Sequence, residues 1–452
     1  MMDKTYLAMG GPGLDPSDEE LDELFSGALS KALADLNEAG PVIILPPDIT
    51  RFHSRAGYFA DIAARELEDR LGAVLPALGT HVAMTPAELD RMFPNAPKDR
   101  FRVHDWRNSI SELGRLEADW VEKACDGVVR YDWPVQVNNR LLKSGGDGFS
   151  LIISIGQVVP HEVAGMANHA KNIFVGTGGK EAIDKSHFAG AAYGLEKMMG
   201  RTDTPVRALF DEGLRRFSQE LPPILWVLTI IGRRSDNEAK AAGKKRGSLA
   251  VRGLFVGFGR ECFEKAAELS RKINVDLMDE PVKKAVVYLE PEEFRTSWLG
   301  NKAVYRTRMA IEDGGELLIL APGLERFGED LSMDALIRKF GYRPRAEIIA
   351  KASSDKELSG NLSAAAHLIH GSSDGRFTIR YCPGPGISKK EIESVGYEWG
   401  SLEEAQARYD INKLSVGWNT LNDGERIFFV SNPGLGLWAE KNRFYGNDFN
   451  KE

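Results

Sequence analysis

Three of the eight histidines in this 452-residue chain lie in one segment, together with a lysine and several glycines. His161 is followed by His169, Lys171 and His187, and glycines stand between the lysine and the last histidine. An imidazole titrates near neutral pH, so it can act as an acid or a base, and it also binds transition metals. A single histidine after a strand is more often structural, but this combination predicts a catalytic or metal-binding loop.

Apolar runs upstream of polar residues predict the strands that position this chemistry. Three such runs span residues 41–47, 73–78 and 152–159. Asp48 and Arg51 follow the first strand, His81 follows the second, and His161 follows the third. Polar loops after strands are where α/β proteins place their chemistry. From the residues alone, Asp48 is favoured as a helix N-cap and Arg51 as a nearby surface residue.

The segment that begins at Pro160 resembles the lactate racemase (LarA) family, whose members share the motif P-H-x-x-A-G-x-S-G-G-x-K-x-x-x-P-G with another histidine further on. The positions that match are Pro160, His161, Ala164, Gly165, Lys171, Gly176 and His187. The chain departs from the motif at Ala167-Asn168-His169, where the family has Ser-Gly-Gly, and at Val175, where it has Pro. Two shorter motifs are also similar: Asp48-x-Thr50-Arg51 to D-x-T-R, and Gly79-Thr80-His81 to G-T-H.

The resemblance implies a nickel-pincer nucleotide as cofactor. In the family this is a pyridinium mononucleotide bound through a lysine thioamide, with nickel held by two sulfurs, a ring carbon and a histidine. Lys171 would be the attachment point and His187 the nickel ligand. Gly176, Gly178 and Gly179 would bring backbone N–H groups close to the nucleotide phosphate.

The resemblance also implies a racemase or epimerase of 2-hydroxy acids. Removing the α-hydrogen as a proton is difficult beside a carboxylate, whereas removing it as hydride gives a 2-keto acid that can accept the hydride back on either face. This route needs a base on each side of the substrate and a cation for its carboxylate. By resemblance, His81 and His161 would be the catalytic acid/base pair, and Asp48 and Arg51 would line the site.

A further motif concerns the identity of the substrate. The family carries Tyr-Gln-x-x-Lys on a helix of the second domain, and the matching positions here are Trp298, Leu299 and Lys302. The lysine is kept and the first two residues are changed, although Trp298 could equally be a core aromatic. These changes indicate a substrate other than lactate, and a longer acid such as an aldonic sugar acid is our hypothesis.

The order of predicted elements indicates an α/β protein with two domains. We expect largely parallel sheets flanked by helices, with the active site in the cleft between the domains. The predicted domains are residues 1–270, which would bind the cofactor, and residues 271–452, with a return of the last ~25 residues to the first domain left open. A first amphipathic helix is predicted over residues 15–38, and the run Glu347-Ile348-Ile349-Ala350 predicts a strand.

Composition and charge limit the class of protein. A hydrophobic fraction of 42% and a charged fraction of 27% are ordinary for a globular protein, and a net charge of −8 argues against nucleic-acid binding. Cys125, Cys262 and Cys382 are far apart, so neither a disulfide framework nor a CxxC metal site is expected. We therefore expect a cytoplasmic protein without a membrane span, whose partners are its substrate and the enzymes that make the pincer cofactor.

Two other classes of function remain open at this point. A zinc hydrolase could use His81, His161 and His187 around a metal-bound water. A non-catalytic protein that binds sugar acids or nucleotides could use the same loops and Arg51. His367 and His370 are three apart on a predicted helix, but no third ligand stands nearby, so we expect structural histidines there.

Overall fold

The computed structural model describes residues 3–36, 39–245, 247–434 and 436–446. The chain forms two compact units: Met1–Ser186 with Gly200–Asn274, and His187–Met199 with Val275–Glu452. The second unit thus includes a short segment, 187–199, that the sequence did not indicate. The predicted domain boundary between residues 270 and 271 stays a prediction.

The first unit is built on the strands before residue 258. They are β1 (Thr5–Gly10), β2 (Val42–Leu45), β3 (Leu71–Val74), β4 (Ile110–Leu116), β5 (Trp133–Asn138), β6 (Leu151–Gln157), β7 (Pro160–His161), β8 (Gly165–Met166), β9 (Ile224–Arg233) and β10 (Leu249–Gly257). Six of them form one sheet in the order β1-β10-β9-β6-β2-β3. The pairs among β9, β6, β2 and β3 are parallel, and β10 pairs antiparallel with both β1 and β9.

The helices before residue 275 are α1 (Asp18–Leu36), α2 (Ala56–Leu67), α3 (Pro86–Met92), α4 (Ala118–Ala124), α5 (Lys180–Tyr193), α6 (Leu195–Met198), α7 (Pro205–Phe217), α8 (Asp236–Ala241) and α9 (Arg260–Asn274). The first helix, predicted over 15–38, is present as α1, and residues 37 and 38 lie outside the described part of the chain. Helices α1 and α2 pack together on the sheet, where Phe25 meets Phe59 edge to face. Helix α9 packs on β9 and β10.

The fully apolar strands of the first unit explain its parallel sheet. All residues of β2 and β6 are buried, as expected for strands covered on both faces. Burial of this apolar surface is the main favourable term in folding, at roughly 25 cal/mol per Å². The parallel strands β2, β3 and β6 end at the same edge of the sheet, because parallel neighbours point the same way.

The second unit has a parallel-rich sheet of its own. Its strands are β11 (Val275–Met278), β12 (Val282–Tyr288), β13 (Ile311–Ala321), β14 (Thr378–Pro383), β15 (Glu398–Trp399), β16 (Gly417–Thr420), β17 (Arg426–Val430) and β18 (Leu437–Glu440). The sheet order is β15-β14-β13-β12-β17-β16, and only the pair of β16 with β17 is antiparallel among these strands. Strand β18 pairs in parallel with β11.

The remaining helices belong to the second unit. They are α10 (Ser297–Gly300), α11 (Lys302–Thr307), α12 (Leu331–Phe340), α13 (Arg345–Ser354), α14 (Lys356–Ser359), α15 (Leu362–His370), α16 (Lys389–Ser394), α17 (Leu402–Arg408) and α18 (Lys441–Tyr445). The strand predicted at residues 347–350 is wrong, since these residues lie within α13. Ile348 and Ala352, four residues apart, form its buried face, which is a helical spacing.

The architecture is the expected mixed α/β class with parallel-rich sheets and flanking helices. No helix in the described ranges combines the length and the apolar character that a membrane span requires.

Candidate active site

The loops after β2 and β3 lie side by side. An isolated parallel bridge between Pro47 and Ala77 continues the pairing of the two strands beyond their ends. The Ala77 N–H donates to the carbonyl oxygen of Pro46 at 2.7 Å. This pairing brings the residue that follows β2, Asp48, close to the histidine that follows β3, His81.

Asp48 and His81 form a close carboxylate–imidazole pair. The Oδ2 atom of Asp48 lies 2.6 Å from Nδ1 of His81. Asp48 is buried while half of the His81 side chain is exposed to solvent. The carboxylate also accepts hydrogen bonds from the backbone N–H and the hydroxyl of Thr50. Asp48 is thus both the predicted N-cap and the partner of His81.

The pKa of Asp48 shows the balance of these contacts. Burial alone would raise it, but the hydrogen bond and charge of His81, with the bonds from Thr50, outweigh burial and hold the pKa below its usual value. Asp48 is therefore ionised near neutral pH and accepts the Nδ1–H of His81. In the neutral ring, the lone pair is then on Nε2.

His161 is held in the opposite tautomer. It lies on β7, which pairs antiparallel with β8 in a short hairpin, and it is buried. Its Nδ1 accepts the backbone N–H of Val163 at 3.1 Å. Because a backbone N–H can only donate, the proton of the neutral ring is on Nε2. Glu162 lies beside it, with a carboxylate oxygen 3.9 Å from Nδ1 of His161.

Lys171 stands at the start of a π-helical turn, Asn172–Gly176. Such turns are rare and often lie at functional sites. The side-chain amide of Asn172 donates to the carbonyl oxygen of Leu45 at 3.3 Å and to the hydroxyl of Ser154 at 2.9 Å. Asn172 therefore fixes the turn to the carboxyl end of β2 and to β6.

The electrostatic environment lowers the pKa of Lys171 to about 8. Removal of its ammonium group from water is the largest cause, followed by the positive charge of Arg51, and Arg207 acts in the same direction. Glu162 and Asp48 act in the opposite direction. Arg51, Asp48 and Lys171 thus share one charged environment in the first unit. With this pKa, roughly a tenth of the lysine is an uncharged amine at pH 7.

The predicted phosphate-binding glycines are buried and closely packed. A Cβ atom at Gly176 would lie 2.7 Å from Cβ of Ala77, and one at Gly178 would clash with the carbonyl oxygen of Phe174. A Cβ at Gly179 would clash with the side chain of Gln136. Close packing accounts for the three glycines, and a role with phosphate stays a prediction.

Three further contacts hold this part of the chain, and sequence reasoning did not find them. The Gly79 N–H donates to the carbonyl oxygen of Gly176 at 2.8 Å, which ties the loop of His81 to the π-helical turn. His104 lies 3.1 Å from the carbonyl oxygen of Gly178 through Nε2, and its Nδ1 lies 3.0 Å from the amide of Asn138. Burial lowers the pKa of His104 to about 4, so it is a neutral structural donor.

The other predicted residues belong to the second unit. His187 lies on α5 immediately after the change from the first unit to the second and is partly buried. Trp298 lies on α10, and its ring stacks on His367 with centroids 4.2 Å apart. Leu299 is 36% exposed. The ammonium group of Lys302, at the start of α11, lies 5.6 Å from the ring centroid of Phe294.

His367, on whose ring Trp298 stacks, is neutral. It lies 2.9 Å from the hydroxyl of Tyr342, which is 2.7 Å from that of Ser297. Burial, with the nearby His370, lowers the pKa of His367 to about 3. Among the described residues, no group of three or more His, Cys, Asp or Glu side chains is placed to hold a metal ion.

Comparison with known proteins shows similarity to one family and to two solved structures. Residues 18–198 match the family model of the lactate racemase N-terminal domain. A crystal structure of a protein from Thermotoga maritima has a TM-score of 0.75 at 23% sequence identity and covers 95% of this chain and 99% of that chain. No curated protein gives a match.

The lactate racemase apoprotein from Thermoanaerobacterium thermosaccharolyticum has a TM-score of 0.66 at 16% identity, and the match covers 96% of this chain and 94% of that chain. At such identities, the two structures establish a shared fold. The family model covers the segment that carries Asp48, His81, His161, Lys171 and His187. Residues 18–198 are therefore similar to the lactate racemase N-terminal domain, and the chain shares its fold with the lactate racemase apoprotein.

Proposed function

We propose that this protein is a racemase or epimerase of a 2-hydroxy acid that uses a nickel-pincer nucleotide bound through Lys171. The observation that carries the proposal is Lys171 itself, an amine of pKa about 8 on a fixed π-helical turn, in the same charged environment as Arg51 and Asp48. Lys171 lies in the field of two arginines, Arg51 and Arg207, as well as of two carboxylates, and the balance lowers its pKa. A zinc hydrolase or a simple binding protein does not account for this lysine.

The residues fit the proposed cofactor. An amine that is partly uncharged near neutral pH can form an amide-type bond, which a fully protonated lysine cannot. One histidine, His187, is sufficient as a protein ligand to nickel when the cofactor brings the other donor atoms. When bound, the cofactor would accept the hydride of the substrate α-carbon and return it.

His81 and His161 fit the acid/base roles in opposite resting states. His81 donates through Nδ1 to Asp48, so its neutral ring can accept the hydroxyl proton of a substrate at Nε2. The carboxylate of Asp48 stabilises the imidazolium that results. His161 accepts at Nδ1 from Val163, so its Nε2 carries the proton and can hydrogen-bond to an oxygen of the substrate. One ring would take the hydroxyl proton, and a proton returned to the 2-keto acid by either ring in its imidazolium form would restore the hydroxyl group, after which both rings would re-equilibrate with solvent.

Arg51 is our proposed partner of the substrate carboxylate. A planar guanidinium donates two parallel hydrogen bonds to a carboxylate, and it stays charged at every physiological pH. The backbone of Arg51 is non-helical, with φ −109° and ψ 26°, inside the short helix that Asp48 caps. The N-cap and this kink together set the direction in which Arg51 leaves the loop.

Trp298 and Leu299 support our hypothesis that the substrate is larger than lactate. The partly buried Trp298 rests on the neutral ring of His367. Aromatic faces bind the C–H faces of polyhydroxylated chains as well as apolar groups. Leu299, where the family motif has glutamine, offers no hydrogen bond. We therefore propose an aldonic sugar acid or a similar long 2-hydroxy acid as substrate, with Lys302 as a further cation.

A substrate panel tests this proposal. The cofactor-loaded protein should exchange the configuration at C2 of gluconate-like acids, which chiral chromatography would detect, and it should act on lactate at least about tenfold less efficiently. A loaded lactate racemase on the same panel serves as the control. Turnover of lactate alone, with no activity on gluconate-like acids, would overturn the substrate assignment.

A further inference from the structure

Two consecutive residues just before Lys171 have left-handed backbone conformations. Asn168 has φ +68° and His169 has φ +57°. Glycine adopts this region without cost, whereas other residues are uncommon there. The family motif has glycine at both positions. The chain therefore keeps the conformation that glycine allows but fills it with two side chains, and other contacts must hold it.

The side chain of His169 packs against two aromatic rings. Its centroid lies 4.3 Å from that of Trp226 and 5.0 Å from that of Phe263, with the second pair stacked at 24°. Asp211 approaches Nδ1 at 3.7 Å. Burial, with the charges of Arg207 and Arg260, holds the pKa of His169 well below its usual value, so the ring is neutral.

The backbone of the same turn is held by Arg207. This fully buried guanidinium donates to the carbonyl oxygens of Asn168, at 3.1 Å, and Met166. Its central carbon lies 4.5 Å from the ring centroid of Phe263, on which His169 also stacks. The side chain of Asn168 accepts the N–H of His169 at 2.6 Å. Arg207 and Phe263 thus form one cluster that contacts both the side chain of His169 and the backbone of the turn.

His169 is connected directly to the turn that carries Lys171. The Asn172 N–H donates to the carbonyl oxygen of His169 at 2.7 Å, so the backbone on either side of Lys171 is closed into one hydrogen-bonded turn. The side chain of Asn172 then fixes the far side of this turn to Leu45 and Ser154. Lys171 therefore lies between two anchors, the buried ring of His169 and the amide of Asn172.

We propose that His169 is a positioning residue for Lys171. Its ring, packed against Trp226 and Phe263, holds the left-handed turn and fixes the lysine before any cofactor is attached. In a chain with two glycines here, the turn would have more backbone freedom and would lose more entropy on ordering. This inference rests on the proposed attachment role of Lys171 for its functional consequence, but the positioning itself is a property of the unloaded protein.

The charged groups around Lys171 influence its pKa, so a change in the position of the lysine can be measured as a change in that pKa. Arg51 and Arg207 favour the uncharged amine, whereas Glu162 and Asp48 favour the ammonium form. Below a pH of about 8 the lysine is mostly charged, and above it mostly uncharged. A relaxed turn would give the ammonium group more water and move it away from Arg51. Both changes raise the pKa of Lys171 toward the ordinary value of a lysine.

The test is the pH dependence of Lys171 acylation in the unloaded full-length protein. Trace labelling with acetic anhydride, read at Lys171 by peptide mass spectrometry, gives the midpoint of its titration. The variants are His169→Gly, which permits the left-handed conformation but lacks the ring, and His169→Asn, which keeps a side chain tolerant of that conformation. The matched control is Asp126→Gly, an exposed position with φ +51° elsewhere in the first unit.

We expect a midpoint near pH 8 in the wild type and in Asp126→Gly, and an increase of at least about one pH unit in both His169 variants. An unchanged midpoint in both His169 variants, or an equal increase in Asp126→Gly, would overturn the positioning role. Failure of the proposed function is a separate result, because it would appear as a wild-type protein that takes up no cofactor whatever its lysine midpoint.

Discussion

The opposite tautomers of His81 and His161 are the most informative feature at the scale of single residues. Each is fixed by a partner that can act in one way only: the ionised carboxylate of Asp48 accepts, and the backbone N–H of Val163 donates. A racemase with two acid/base groups needs one of them unprotonated and the other protonated at the reacting atom. The hydrogen-bond partners of the two rings supply this asymmetry.

Replacement of Asp48 by asparagine tests the role of the carboxylate. The variant loses the charge that stabilises a protonated His81, and its amide can donate to Nδ1 and reverse the tautomer. We expect kcat of the loaded enzyme to fall by about a hundredfold or more. Steady-state kinetics would measure the effect, and intact mass would establish that the variant still takes up the cofactor.

Asp61→Asn is the matched control for Asp48→Asn. Asp61 is also buried in the first unit, but it accepts the N–H groups of Asn95 and Ala96. Loss of that carboxylate should reduce stability and leave kcat of the folded enzyme within about twofold. A comparable loss of kcat in both variants, or none in Asp48→Asn, would contradict the proposed role of Asp48.

Sequence motifs predicted some of these residues but not the residues that hold them in place. Asp48 and His81 could be predicted because each belongs to a short local motif. Asn172, His104 and Arg207 could not, because their roles depend on contacts with residues distant in sequence, such as Leu45 and Gly178. Only the order of the strands in the sheet brings these partners together.

At the scale of elements, the π-helical turn Asn172–Gly176 is the feature that sequence reasoning missed. The glycines were predicted to approach a phosphate, and the structure gives a packing reason for all three. Gly176 sits against Ala77 in the loop that leads to His81, and its carbonyl oxygen accepts the Gly79 N–H. The turn and this loop are therefore packed against each other and joined by a hydrogen bond.

Gly176→Ala tests whether the close contact between Gly176 and Ala77 stabilises the first unit. The added methyl group would lie 2.7 Å from Cβ of Ala77 and 3.0 Å from Oδ1 of Asn172, so the turn must move. We expect the free energy of unfolding of the first unit to fall by about 1–3 kcal/mol, as for other overpacked sites. Urea denaturation followed by circular dichroism would measure it.

Gly13→Ala is the control for this substitution. A Cβ atom at Gly13 meets nothing within 4 Å, and its φ is not positive. Its stability should match the wild type to within about 0.5 kcal/mol. If Gly176→Ala were equally neutral, the proposed contact between the turn and the loop of His81 would be wrong.

The strands illustrate which elements a sequence reveals. The apolar runs at residues 41–47 and 152–159 predicted β2 and β6, because strands buried on both faces are apolar throughout. The same rule failed at residues 347–350, where two isoleucines belong to α13. A short apolar run fits a helix as well as a strand, and the spacing of Ile348 and Ala352 decides between them.

At the scale of the whole molecule, the α/β class and its parallel-rich sheets could be predicted from the alternation of apolar runs and helices. The inclusion of residues 187–199 in the second unit could not. Helix α5 is continuous across the change at His187, so nothing in the local sequence marks it. Contacts between distant parts of the chain, not composition, define such a boundary.

The central claim is that Lys171 carries the cofactor, and intact mass tests it most directly. The protein would be coexpressed with pincer-synthesis enzymes as the wild type, as Lys171→Ala and as Lys180→Ala, which removes an exposed lysine that pairs with Asp184. The proposed function predicts a mass increase in the wild type and in Lys180→Ala that is absent from Lys171→Ala. Persistence of the increase in Lys171→Ala, or its absence from the wild type while a lactate racemase control is loaded, would contradict it.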